Sequence, residues 1–81
     1  MTEILNDIRN YIKKEFIVSE NIEDDQSLTE SGIIDSMGII NIIEYLESKY
    51  NIEIDDEDIL QKNFGSINKI TNYTLKKINN E

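Results

Sequence analysis

The amino-acid sequence predicts an all-α fold: a small four-helix bundle, three main helices plus one short helix, with a long loop after the first helix. Three observations carry that prediction. Apolar residues recur at helical spacing in separate stretches, over residues 4–16, 39–50 and 67–78. The chain has no proline, so few turns are forced on it. At 81 residues a core is marginal, so the helices must share one interior, and 1–81 reads as a single domain.

The first helix is expected over residues 2–16. Ile4, Ile8, Ile12 and Phe16 stand four apart, and Leu5 and Tyr11 widen the stripe. Asp7, Arg9, Asn10, Lys13 and Lys14 fall on the other face, and Thr2 fits an N-cap. Residues 17–35 read as a long connection. Ile17, Val18, Ile22 and Leu28 are expected to anchor it, between the loop-like Glu20, Asn21, Glu23, Asp24, Asp25 and Gln26. Ser27-Leu28-Thr29-Glu30 has the capping-box pattern, so a helical turn is expected there, broken by Gly32. Connections this long are uncommon in small domains and are often functional. Ile33 and Ile34 are expected to tuck inward and fix the position of Ser36.

The second helix is expected over residues 36–50, capped by Asp35, whose carboxylate can accept from first-turn amides. Ile39, Ile42, Ile43, Leu46 and Tyr50 share the core face; Met37, Ile40, Asn41, Glu44, Glu47 and Ser48 gather opposite. Exposed Met37 and Ile40 beside carboxylates suit a transient protein-binding face. Gly38 costs roughly 1 kcal/mol of helix propensity relative to alanine. It reads either as a frayed helix start or as a bare surface next to Ser36.

Ile52-Glu53-Ile54 reads as a short extended connection with two apolar anchors. Asp55-Asp56-Glu57-Asp58 then opens a brief third helix through Ile59, Leu60 and Phe64, its acids complementing the helix dipole. The acidic run lacks the spacing and the glycine of a calcium loop, so no metal site is expected. Gly65 ends that segment. Ser66 caps a last helix that buries Ile67, Ile70, Tyr73 or Thr74, and Ile78; Asn79-Asn80-Glu81 should fray.

Composition narrows the function. Cysteine and histidine are both absent, which excludes disulfides, thiolate metal sites, and the commonest general base and zinc ligand. The net charge of −9 is concentrated: residues 20–58 hold thirteen acids against one base, Lys49. That stretch repels nucleic-acid and lipid phosphates and attracts basic patches on proteins. An acidic start and interrupted apolar runs predict no signal peptide, no membrane insertion and a cytoplasmic monomer.

Ser36 stands out. Serine before a helix is usually just a cap, but Asp35 already supplies one. A phosphate ester on Ser36 would meet unpaired backbone amides and the positive end of the dipole. No histidine or lysine lies near in sequence to act as a base, so Ser36 reads as an acceptor modified by another enzyme.

The stretch D-S-M-G-I-I-N-I-I-E-Y-L-E resembles the phosphopantetheine attachment site of acyl carrier proteins, whose usual signature is Asp-Ser-Leu before an amphipathic helix. The likeness extends over nearly the whole chain, through I-E-I-D-D-E-D and F-G-S-I-N-K-I. It implies that Ser36 receives 4′-phosphopantetheine from coenzyme A through a holo-carrier-protein synthase, a magnesium-dependent phosphopantetheinyl transferase. The arm's thiol would then carry acyl or aminoacyl groups as thioesters, so the chain itself would not be an enzyme. By resemblance Asp35 is the signature aspartate, and Met37 replaces the usual leucine. Met37, Ile40, Glu44 and Glu47 fall at partner-contact positions, with Asp56 and Glu57 adding to the acidic surface. The implied partners are an acyl- or aminoacyl-adenylating ligase and an acyltransferase or synthase. Gly38 and Asn41 sit where fatty-acid carriers commonly have acids, and S-G-I-I-D-S-M-G is more similar to free-standing D-alanyl or other aminoacyl carriers. The cargo stays open between fatty, polyketide and aminoacyl groups. The alternative is an acidic helical protein-interaction module without a prosthetic group. A paired-carboxylate enzyme using Asp55 and Asp58 lacks any supporting pocket motif.

Overall fold

Helix α1 (Thr2–Glu15) buries Ile8 and Ile12 completely and packs Ile4, Leu5 and Tyr11 at the margin of the core. The structure, a computed structural model, describes residues 2–19 and 21–79. The cap expected at Thr2 and the fraying of Asn80 and Glu81 lie outside the described residues and side chains. Helix α2 (Ser36–Tyr50) is followed by a 3₁₀ turn (Asp56–Asp58), a single-turn helix α3 (Gln61–Phe64) and helix α4 (Ile67–Ile78). Among the described residues there is no strand, so the predicted all-helical bundle of three longer helices and one short one is observed.

Helix α1 closes through a left-handed residue. Phe16 N–H donates to Ile12 O at 3.0 Å, Ile17 adopts φ 52°, and Val18 N–H returns to Lys13 O at 2.9 Å. This is the six-to-one closure of a Schellman motif, normally built on glycine. Its consequence corrects the expectation for Ile17. The left-handed turn aims that side chain outward, and it is 90% exposed rather than anchored. Val18 stays half-buried, and Ile22 and Leu28 are fully buried, as expected.

The long connection is held by its backbone. Arg9 Nε donates to Ile22 O at 3.1 Å while its guanidinium pairs with Asp24. Asp24 O accepts from Asn68 N–H at 2.8 Å, which joins the loop to the first turn of α4. Leu28 N–H donates to Gly65 O at 3.0 Å, and Leu28 O accepts from both Ile33 and Ile34 N–H. The Ser27 turn forms: Ser27 Oγ accepts from Glu30 N–H at 3.2 Å, and Gly32 leaves the turn with φ 78°. Ile34 is buried and Ile33 half-buried just ahead of Ser36.

The core unites Ile8, Ile12, Ile22, Leu28, Ile34, Ile42, Ile43, Leu46, Ile54, Phe64, Ile67, Ile70 and Tyr73. Each fully buried aliphatic side chain contributes roughly 1.5–3 kcal/mol, a large share for a domain this small. The Thr71 and Thr74 hydroxyls are buried without loss because they donate to Ile67 O and Ile70 O at 2.8 Å. Ser66 caps α4, its Oγ accepting from Lys69 N–H at 3.2 Å.

Two further expectations are corrected. The third helix is not continuous: Ile59 and Leu60 are extended or irregular, separating the 3₁₀ turn from α3. The physical reason is anchoring from both sides. Asp58 O accepts from Asn63 Nδ2 at 2.8 Å and Asp58 Oδ2 accepts from Tyr73 Oη at 2.9 Å, so the acidic turn is pinned before a helix can propagate. Ile78 lies past the end of the core and is exposed rather than buried.

Candidate functional site at the start of helix α2

Ser36 is the first residue of α2, and its side chain is exposed. Asp35 has extended backbone dihedrals, and its Oδ1 accepts from Gly38 N–H at 2.9 Å. The cap of α2 is therefore Asp35, as expected, and the Ser36 hydroxyl is not consumed by that role. A helix start leaves its first amides without intrahelical partners, so the surroundings of Ser36 favour negative charge.

Local sequence sets this arrangement. Gly32 turns the chain, Ile34 buries itself, and Asp35 then emerges at the surface with Ser36 beyond it. From there α2 buries Ile42, Ile43 and Leu46, with Ile39 and Tyr50 packed at the core margin. The opposite face carries Met37, 66% exposed, and Ile40, 48% exposed, with exposed Asn41, Glu44 and Ser48. Met37, Ile40 and Glu44 follow one another at helical spacing and share one surface.

Glu47 differs from them. It is half-buried, and its Oε2 accepts from Ile54 N–H at 2.9 Å. That bond clamps the connection after α2, whose helix ends at left-handed Asn51 with φ 54°. Asp56 and Glu57 are exposed on the 3₁₀ turn. Leu60, which the sequence places only in the third helix, is 48% exposed and borders a cavity of about 60 Å³ with Ile39, Ile59, Gln61 and Phe64.

Gly38 is neither frayed nor a bare surface. It is buried, and a Cβ built there would lie 2.9 Å from Phe16 Cε1, 3.1 Å from Phe16 Cζ and 3.2 Å from Ile34 Cβ. The end of α1 thus packs directly onto the first turn of α2. Sequence reasoning missed this contact; its signal was a glycine where helix propensity argues against one.

A second cluster joins α1 to α2 farther along. The rings of Tyr11 and Tyr45 stack with centroids 4.0 Å apart, and Tyr11 Oη donates to Asn41 O at 3.1 Å. Burial, with Glu15 and Glu44 nearby, pushes the Tyr11 hydroxyl above its ordinary value. Tyr50 Oη donates to Asp7 Oδ2 at 3.4 Å, and Lys49 Nζ lies 3.6 Å from the same oxygen. This cluster fixes the helix pair and presents no reacting group. Among the described residues no group of acids has the arrangement of a metal site, and no helix is long and apolar enough to cross a membrane.

A short helical bundle that exposes a serine at the start of its second helix, beside apolar residues and acids, is built as a carrier domain. Residues 3–74 match the phosphopantetheine attachment site family, and the chain belongs to that family. The prosthetic group of such carriers is 4′-phosphopantetheine. Two D-alanyl carrier proteins, from Streptococcus suis strains 05ZYH33 and 98HAH33, are each 29% identical over 68 residues, covering 84% of this chain and 86% of theirs. A chain of a solved structure described as the crystal structure of FAD-dependent dehydrogenase superposes with a TM-score of 0.74. It is 16% identical, covering 83% of this chain and 97% of that one, and the likeness concerns the fold alone.

Proposed function

We propose that residues 1–81 form one carrier domain in which Ser36 bears 4′-phosphopantetheine, and that the arm shuttles an activated carboxyl group between partner enzymes. The observation that carries this reading is the exposed Ser36 hydroxyl at the start of α2, with the cap already supplied by Asp35.

The residues present fit the group. Ser36 offers an unhindered hydroxyl, and the amide end of α2 suits a phosphodiester. Asp35 holds its carboxylate against Gly38 N–H. In the attachment step a bond forms between Ser36 Oγ and the phosphorus of the pantetheine arm as the pyrophosphate link of coenzyme A breaks. Adenosine 3′,5′-bisphosphate departs, and the serine proton passes to a base on the synthase, since this chain has no histidine or lysine near Ser36 in sequence and the Asp35 carboxylate is engaged by Gly38 N–H. When bound, the arm supplies a terminal thiol that holds carboxyl groups as thioesters. The chain contributes tethering and presentation rather than catalysis.

Met37 and Ile40 form an apolar contact beside Ser36, and Glu44, Asp56 and Glu57 supply charge that steers basic partner surfaces. The partners are a phosphopantetheinyl transferase, an adenylating ligase and an acyltransferase or synthase, met transiently by a cytoplasmic monomer. Binding weakens with added salt, because exposed charges are screened. Similarity to D-alanyl carriers over most of the chain favours an aminoacyl cargo.

The test of attachment is incubation with coenzyme A, magnesium and a permissive synthase, followed by intact-mass measurement. Modification of the wild type and none of Ser36→Ala is expected. Offering the holo protein a panel of adenylating ligases then reads the cargo as a thioester; loading by fatty acyl ligases alone would overturn the aminoacyl reading.

A further inference from the structure

We infer that Phe16 and Gly38 are positioning residues for Ser36: the end of α1 clamps the first turn of α2 and so sets where the serine hydroxyl is presented. The inference rests on the reading of Ser36 as the attachment point and adds the device that holds it.

Three observations converge. Gly38 lies two residues after Ser36, is buried, and gives its N–H to Asp35 Oδ1 at 2.9 Å. It therefore links Asp35 directly, and Ser36 through the backbone of the same turn, to the packing beneath them. The space above Gly38 is taken from both sides, since an added Cβ would stand 2.9 Å from Phe16 Cε1 and 3.2 Å from Ile34 Cβ. A contact as short as that to Phe16 is essentially never made by a real Cβ and that to Ile34 is tight, so a larger residue displaces the Phe16 ring or shifts α2 against Ile34.

The third observation lies on α1. Phe16 is followed by Ile17, a β-branched residue at φ 52° with a side chain 90% exposed. Nothing is packed by that side chain, yet the backbone is held where β-branched residues are outliers. The closure through Val18 N–H and Lys13 O is what holds it there. Strain of this kind persists where the surrounding structure requires it. Here it closes α1 just past Glu15, with the Phe16 ring lying against Gly38.

The contact also shapes what a partner meets. Because Gly38 faces inward against Phe16 and Ile34, the contact sets how far the first turn of α2 stands out where it exposes Ser36, Met37 and then Ile40. A larger residue at 38 would move the serine and that surface together.

The experiment is a double-mutant cycle on Gly38→Ala and Phe16→Ala. It follows kcat and KM of the carrier for modification by a permissive synthase with coenzyme A and magnesium, well below each variant's melting temperature. Gly38→Ala in the wild-type background is expected to lower kcat/KM ~10-fold while the chain remains folded, because small displacements of a reacting atom cost large factors in rate. In the Phe16→Ala background the same substitution should lower it less than ~2-fold, since the ring that the methyl group displaces is gone. Equal losses in the two backgrounds would overturn the inference. Phe16→Ala alone creates no clash and gives the second arm, for use even if Gly38→Ala does not fold: a loss of ~5-fold is expected, and a folded Phe16→Ala chain modified at the wild-type rate would overturn the inference. A wild-type chain that accepts no arm overturns the reading of Ser36 and this inference together. A wild type that is modified with additive losses overturns this inference alone.

Discussion

The Tyr73 hydroxyl donates to Asp58 Oδ2 at 2.9 Å and ties α4 to the acidic 3₁₀ turn. Lys77 Nζ, 3.8 Å from Asp55 Oδ2, lies beside the same turn. Tyr73→Phe keeps the ring in the core and removes only the hydroxyl. A loss of about 1 kcal/mol in urea unfolding is expected, because half-exposed Asp58 can recover water as a partner. Amide exchange around Asp58 and Leu60 should accelerate by more than it does in α1.

The same tyrosines give the fold an alkaline limit. Burial raises the hydroxyls of Tyr50 and Tyr73 well above the ordinary value of 10.0, with Asp58 adding to the effect at Tyr73 and Tyr45 and Asp7 at Tyr50. The folded state therefore keeps these protons after the unfolded chain has lost them. Stability from this source is complete below 10.0 and declines as pH rises towards the raised folded values. Urea midpoints should hold up to about pH 9 and fall by about pH 11; a midpoint that rises over that interval would contradict the assignment.

Asp35 should be separable into two roles. Asp35→Ala removes the bond to Gly38 N–H and is expected to cost about 1 kcal/mol. Asp35→Asn keeps an acceptor at the cap and should retain most of that stability. If Asp35→Asn is stable but modified slowly, the carboxylate is needed by the synthase rather than by the fold. Paired thermal melts and modification rates distinguish the two roles.

Ile17→Asn is expected to stabilise the protein by about 0.5–1 kcal/mol, because asparagine tolerates the left-handed region and the isoleucine side chain buries nothing. A thermal melt that falls instead would show that Ile17 makes a contact in solution.

Glu44 and Glu47 look equivalent in the sequence but are not in the structure. Glu47→Ala leaves Ile54 N–H without its acceptor and should cost about 1–2 kcal/mol. Glu44→Ala should leave stability within about 0.5 kcal/mol, as exposed surface substitutions usually do. Its effect belongs on partner affinity and should shrink at high salt.

What the sequence revealed was local. Asp35, Ser36 and the repeat of Ile39, Ile43 and Leu46 lie within about three consecutive helical turns, so capping chemistry and periodicity place them without reference to the rest of the chain. Gly38 could not be read that way, because its burial depends on Phe16, twenty-two residues earlier, and on the closure that aims it. Ile17 pointed outward for the same reason: hydrophobicity says that a residue prefers the interior, but the left-handed turn decides its direction. The split of the third helix was hidden because Asp58 is held by Tyr73 and Asn63, one from another helix. Glu47 matched the partner-facing pattern of α2, and only the position of Ile54 N–H reveals its structural bond.

The most direct test of the central claim is the intact mass of the purified chain after incubation with coenzyme A, magnesium and a permissive phosphopantetheinyl transferase. The wild type should gain one phosphopantetheinyl group per chain, located on Ser36 by peptide mapping, and Ser36→Ala should gain none. An unchanged wild-type mass under conditions that modify a known carrier, or a gain that survives in Ser36→Ala, would contradict it.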